Sequence, residues 1–143
     1  MSVTGNLSAE TGLLLAQRWP DTAVMESFTD LKAWKAGLEL VCEVFELSKK
    51  FPPSELYGLT GQVRKSSNSI IANTAEGFSR RTFADKANKY IIARGECAET
   101  ESHLLVAIAL KFITATEAEK ALNLSHEVGR MLSGLIATYQ PHS

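Results

Sequence analysis

The chain has 143 residues, 45% of them hydrophobic, and sets 15 Lys plus Arg against 16 Asp plus Glu for a formal net charge of −1. That length suits one domain with one core. The balanced charge excludes a global basic field of the kind that drives nonspecific phosphate binding, so any contact with nucleic acid has to come from a local patch.

Residues 1 to 29 mix Gly5, Asn6, Gly12 and Pro20 with scattered apolar residues and keep no period, which reads as an extension. A short helix from about Ser8 to Arg18 is expected inside it, stopped by Trp19 and Pro20, with Trp19 free to dock on the domain or on a neighbour. The apolar run Leu13 to Ala16 is too short for a signal-peptide core, and no basic residues lead into it. A cytoplasmic location is expected.

The domain proper is expected over residues 30–140. Its first helix opens with Thr29 or Asp30 as cap and carries two apolar series. One is Leu31, Trp34, Leu38, Val41 and Phe45; the other is Ala33, Gly37, Leu40, Val44, Leu47 and Phe51. At about 100° per residue the two lie roughly 135° apart around the helix. One face should serve the core and the other a partner; Leu40, Val44, Leu47 and Phe51 are assigned to an oligomer interface, and the Trp34 and Leu38 seam to the core. Pro52 and Pro53 end this helix.

A second helix is expected from Leu59 to Phe78, with a narrow seam of Val63, Ser67, Ile70, Thr74 and Gly77 whose small residues permit close helix approach. Beside it Gln62, Ser66, Ser69, Asn73 and Glu76 form a regular polar stripe, read as solvated or hydrogen-bonded structure before a binding site. Thr82 followed by Asp85 caps a third helix reaching Phe112, in which Leu104 to Ile113 holds nine apolar residues in ten, too short to span a membrane and suited to burial on nearly all sides. Thr116 with Glu119 forms a capping box for the fourth helix, whose Ala118, Ala121, Ser125, Val128, Leu132, Leu135 and Tyr139 keep a 3,4 spacing up to the stop at Pro141. The last residues, 141–143, are a tail. Four helices with short connections predict an all-α, antiparallel up-and-down four-helix bundle.

No catalytic constellation accompanies these elements, so an enzyme is not expected. Cys42 and Cys97 lie in apolar helical patterns with no CxxC pair and no histidine at ligand spacing, which reads as ordinary buried thiols. Glu99 and His103 share a helical face, but no second matching motif joins them, and a di-iron bundle needs Glu-x-x-His pairs that are missing. No metal or cofactor is expected. Charge is nevertheless segregated. From Arg64 to Arg94 seven basic residues face two acidic ones, and residues 95–119 reverse the balance. Arg80, Arg81, Lys86 and Lys89 are the candidate RNA or DNA contacts, gathered at one bundle end; the alternative is a solvated connection whose charges balance Asp85 and neighbouring acids.

The segments FTDLKAWKAGLEL, KKFPPSELYGLTGQVRKSSNSIIANTAEGFSRR and ARGECAETESHLLVAIAL resemble the four-helix-bundle proteins encoded within intervening sequences of bacterial 23S ribosomal RNA genes. The most specific part is Glu55, Tyr57, Gly58, Leu59, Gln62, Arg64, Ser69, Ile70, Asn73, Ala75, Glu76 and Gly77, with Lys65 and Thr74 as minor departures. The resemblance implies a bundle that assembles into a closed homo-oligomeric ring of five subunits with no known enzymatic chemistry. The accessory protein of diversity-generating retroelements, which binds a reverse transcriptase and nucleic acid, is similar in fold but basic, unlike this near-neutral chain. The function expected is association with ribosomal RNA or another nucleic acid through the basic cluster; the alternative is a scaffold ring that holds a partner protein. No membrane partner is expected.

Overall fold

The computed structural model describes residues 25–140. Four long helices make up the domain: α1 (Lys32–Ser48), α2 (Leu59–Ser79), α3 (Phe83–Ala109) and α4 (Ala115–Tyr139). Short 3₁₀ turns occupy Phe28–Asp30 and Pro53–Glu55, and the described residues contain no strand. The expected helix at Ser8 to Arg18, the docking of Trp19 and the tail 141–143 lie outside the described residues.

α1 packs against α2 and α4, and α3 packs against the same two, which leaves α1 and α3 at opposite corners of a square. Contacts at the two ends fix the directions. Beyond the end of α1, Lys50 is ion-paired with Glu117 in the first turn of α4, and the Phe51 ring lies 5.7 Å from Phe112. At the other end Tyr139, the last residue of α4, lies 5.3 Å from Phe83, the first of α3. Neighbouring helices therefore run antiparallel, as the short connections require.

The two faces of α1 are the reverse of the sequence expectation. Leu40 and Val44 are 0% exposed and Leu47 and Phe51 are 5% exposed within a single chain, so these four form its core and leave no surface for a second subunit. Trp34, Leu38 and Val41 are half-buried and Phe45 is exposed. A small residue decides the matter: Gly37 lets α1 approach α2 so closely that a Cβ there would sit 2.6 Å from Ile71 Cγ2. The bulky Trp34 seam cannot approach as far. Trp34 instead meets the Phe28 ring edge-on at 5.2 Å.

Helix ends follow local hydrogen bonding. Neither Thr29 nor Asp30 caps α1, whose N-cap is Leu31 with no side-chain cap bond; Ser27 instead caps the preceding 3₁₀ turn, its side chain accepting from Thr29 N while the Asp30 carboxylate accepts from Ser27 N in a reciprocal box. Glu55 caps α2, its Oε2 accepting from Leu59 N at 3.0 Å. Thr82 caps α3 by accepting from Asp85 N, as expected. α3 stops at Ala109, three residues early, because Lys111 adopts a left-handed φ of 64°. Phe112 N then donates to Ala107 O and Lys111 N to Ile108 O, a Schellman ending. α4 is capped by Thr114 with Glu117, two residues before the predicted box. The sequence T-A-T-E-A-E spells both boxes, and the earlier one wins because it sets Ile113 and Ala118, both buried, at the staple positions N′ and N4.

α3 is also less buried than its composition suggests. Leu104 and Ala107 are in the core, but Leu105, Val106 and Leu110 are exposed. A corner helix in a square bundle has only two neighbours, so half of its circumference stays outside, however apolar it is.

Candidate nucleic-acid interface at the end of α2 and start of α3

Between Ser79 and Phe83 the chain reverses in three residues, and this short connection brings Arg80, Arg81, Lys86 and Lys89 to one end of the bundle. The turn holds its place through Gly77, where a Cβ would meet Tyr90 Cε1 at 2.5 Å, so only glycine lets the end of α2 lie against the buried Tyr90 ring. Tyr139 lies 6.0 Å from Tyr90.

The four cations are used differently. Lys86 Nζ donates to Phe78 O at 2.6 Å and to Gly77 O at 3.3 Å, and lies 5.7 Å from the Phe78 and Tyr139 ring centres. It satisfies carbonyls at the end of α2, where a cation also meets the negative end of the helix dipole. Lys89 Nζ lies 2.9 Å and Arg80 3.6 Å from the same Glu76 Oε2. The hydrogen bond and charge of Lys89, with a smaller part from Arg80, hold the Glu76 carboxyl below its ordinary value. Arg81 is exposed and makes no ion pair among the described residues. The end is basic, but Glu76 already takes part of its charge.

The other basic residues of the sequence segment are dispersed. Arg64 Nε donates to Ser48 Oγ at 2.8 Å and its guanidinium lies 4.8 Å from the Phe45 ring centre, which ties α2 to α1. Arg94 lies on α3 beside α4, 3.3 Å from Ser133 Oγ. The polar stripe on α2 is structural over most of its length: Ser66 Oγ and the buried Thr100 Oγ1 are 2.8 Å apart, and Asn73 donates to Ser69 O.

No group of three His, Cys, Asp or Glu side chains among the described residues is arranged to hold a metal ion. Glu99 Oε1 lies 3.5 Å from His103 Nε2, a separation that serves electrostatics, while the buried Nε2 makes no hydrogen bond. His126 instead contacts Glu101 at 2.9 Å. Cys97 is buried and Cys42 half-buried, and both are free thiols. Burial first, and the neighbouring Glu96 second, push the Cys97 thiol up to about 12, so it is not an activated nucleophile. An open groove of about 470 Å³ runs between α3 and α4, lined by Arg94, Ala98, Glu101, His126, Gly129 and Arg130. It was not legible in the sequence, because its two walls come from distant segments.

The helix arrangement and the motif from Glu55 to Gly77 find a match in a family model described as 23S rRNA-intervening sequence protein, which covers residues 29–134. The chain belongs to this family. A crystal structure of a protein with unknown function from the S23 ribosomal protein family of Bacteroides thetaiotaomicron VPI-5482 is similar, with 30% sequence identity and a TM-score of 0.68 over 73% of this chain and 97% of that one. Nothing among curated proteins matches the chain. Membership accounts for the fold and for the conformation of the motif: Glu55 caps α2, Gly77 admits Tyr90, and Asn73 and Ser69 bond to each other. No helix among the described residues is long and apolar enough to cross a membrane.

Proposed function

We propose that the protein is a non-enzymatic, self-associating bundle in the cytosol that binds ribosomal RNA or another nucleic acid through the end formed by Arg80 and Arg81. The supporting observation is the convergence there of four cations, of which, among the described residues, Arg81 has no acidic partner and Arg80 is held by a 3.6 Å contact with Glu76. The family's description as an rRNA-intervening sequence protein supports the choice of nucleic acid. One such end per subunit offers few phosphate contacts, so binding depends on repetition of the end in an assembly, and a closed ring of five is the number the family resemblance implies.

Lys86 is excluded from this role, because its ammonium group is committed to the α2 carbonyls. The test is purification of the whole protein without nuclease, followed by chromatography with light scattering and ultraviolet absorbance at low and high salt. Wild-type protein is expected to carry RNA that salt releases. Arg80→Glu with Arg81→Glu is expected to lose it while keeping its mass and helicity. Retention that ignores both the salt and the reversal sinks this interface.

A second reading, a scaffold that holds a partner protein, is favoured by the apolar residues left open on α3. A nucleic-acid-free assembly in the same experiment supports it.

A further inference from the structure

We infer that the groove between α3 and α4 is a binding site for a guanosine monophosphate group, with the phosphate on Arg94 and Arg130 and the guanine edge on Glu101. The site is separate from the Arg80 and Arg81 end and does not depend on it.

The groove carries opposite charge at its two ends. At one end Arg94 donates to Ser133 Oγ at 3.3 Å, bridging α3 to α4; at the other His126 Nε2 lies 2.9 Å from Glu101 Oε1, bridging them again. An ionised carboxylate only accepts, so Nε2 carries the hydrogen, and His126 holds Glu101 in place while its second oxygen stays open to a ligand. Arg94 and Glu101 are seven residues apart on α3, a rise of about 10 Å. Arg130 stands on the rim, and neither guanidinium is ion-paired with an acid among the described residues.

Between these ends the floor is almost without side chains. Gly129 and Ala98 form it, and the Ser125 hydroxyl beneath is spent on Cys97 O. A Cβ on Gly129 would meet nothing within 4 Å, so the bundle itself gives no reason for a helix-weakening glycine there. A flat group lying on the floor does. The volume of about 470 Å³ is within the range of small-molecule sites, about 300–1,000 Å³.

Charge complementarity selects the occupant. An anion belongs at the arginine end and hydrogen-bond donors at the carboxylate end, with a flat body between them, which is the plan of a nucleotide. Arginine suits the phosphate, because its planar fork of N–H groups matches phosphate oxygens two at a time. Glu101 then chooses the base. Guanine offers N1–H and the N2 amino group side by side, and a carboxylate accepts from both; adenine sets its N1 lone pair against a carboxylate oxygen, and a pyrimidine is one ring shorter. The guanosine monophosphate group has two sources, the free nucleotide and an unpaired residue of an RNA strand, and the open outer side of the groove admits either.

The test uses the full chain, freed of any copurified RNA by high salt, and titrates it calorimetrically with GMP, AMP, CMP, L-arginine and inorganic phosphate. GMP is expected to bind about tenfold or more tighter than each of the others. Glu101→Gln is expected to erase the preference of GMP over AMP, since an amide replaces one acceptor by a donor, and Arg94→Ala to weaken both nucleotides. Gly129→Leu fills the floor with a good helix former and is expected to abolish binding while circular dichroism shows the helices intact. Arg80→Glu with Arg81→Glu is expected to leave GMP binding unchanged, so the two sites fail or stand separately. A single-stranded oligouridine with one central guanosine separates the sources: tighter binding than GMP assigns the site to RNA, and equal or weaker binding assigns it to the free nucleotide. Equal affinity for GMP and AMP, a preference that survives Glu101→Gln, or phosphate or L-arginine that binds as well as GMP overturns the site.

Discussion

Single residues explain why this bundle closes as it does, and glycine separates two kinds of position. Gly77 lies against a buried aromatic ring that has nowhere to go, whereas a methyl group added to Gly129 on α4 would have nothing within 4 Å. Gly77→Ala is therefore expected to destabilise the fold by about 1–3 kcal/mol through overpacking. Gly129→Ala is expected to stabilise it by about 1 kcal/mol through helix propensity. Urea unfolding midpoints measure both, and shifts of the same sign would contradict the close approach of α2 to Tyr90. The core assignment on α1 is tested in the same way. Leu40→Ala should cost about 2–5 kcal/mol, since Leu40 is fully enclosed, and Val44→Asp should unfold the chain and not merely dissociate it.

At the scale of elements, the ends of helices are where local sequence offers alternatives that packing settles. Thr114 and Thr116 each stand three residues before a glutamate, yet the Thr114 hydroxyl accepts from Glu117 N at 3.1 Å and the Glu117 carboxylate accepts from Thr114 N at 2.9 Å. Thr114→Ala should cost about 1 kcal/mol and Thr116→Ala markedly less, read as melting temperatures of the two variants. Equal losses would mean that the cap is shared. Lys111, left-handed at the end of α3, is the complementary case: Lys111→Gly relieves a Cβ conflict and should raise stability by about 1 kcal/mol.

For the whole molecule, stability is linked to pH through two groups buried neutral at the joints between helices. Tyr90 is pushed up to about 12 by burial and then by Tyr139, and Cys97 to about 12 by burial and then by Glu96. Their folded values lie above the ordinary 10.0 and 9.0, so the stability they contribute is fully present below about 9 and is lost as pH rises toward 12. The urea midpoint should fall steadily from about pH 9 to about pH 11, with a shallower fall in Cys97→Ala. A flat profile over that range would show that neither group is held neutral. Glu76 and Glu117 act in the opposite sense: lowered by Lys89 and by Lys50 respectively, they contribute above about 4.5 and lose that contribution as pH falls through their folded values.

The amino-acid sequence by itself determined the four helices, their approximate limits, the α2 seam of Val63, Ser67, Ile70, Thr74 and Gly77, and the family, because periodicity, proline stops and small-residue spacing are local properties of the chain. Tertiary structure alone decided which apolar face of α1 points inward, since both faces have the right period and the close approach of Gly37 to α2 distinguishes them. It decided likewise how much of the basic cluster is available. Arg80, Arg81, Lys86 and Lys89 are equally cationic in the sequence, but Lys86 is spent on carbonyls of α2 and Lys89 on Glu76, thirteen positions away, and a hydrogen bond across that distance exists only once the helices have packed.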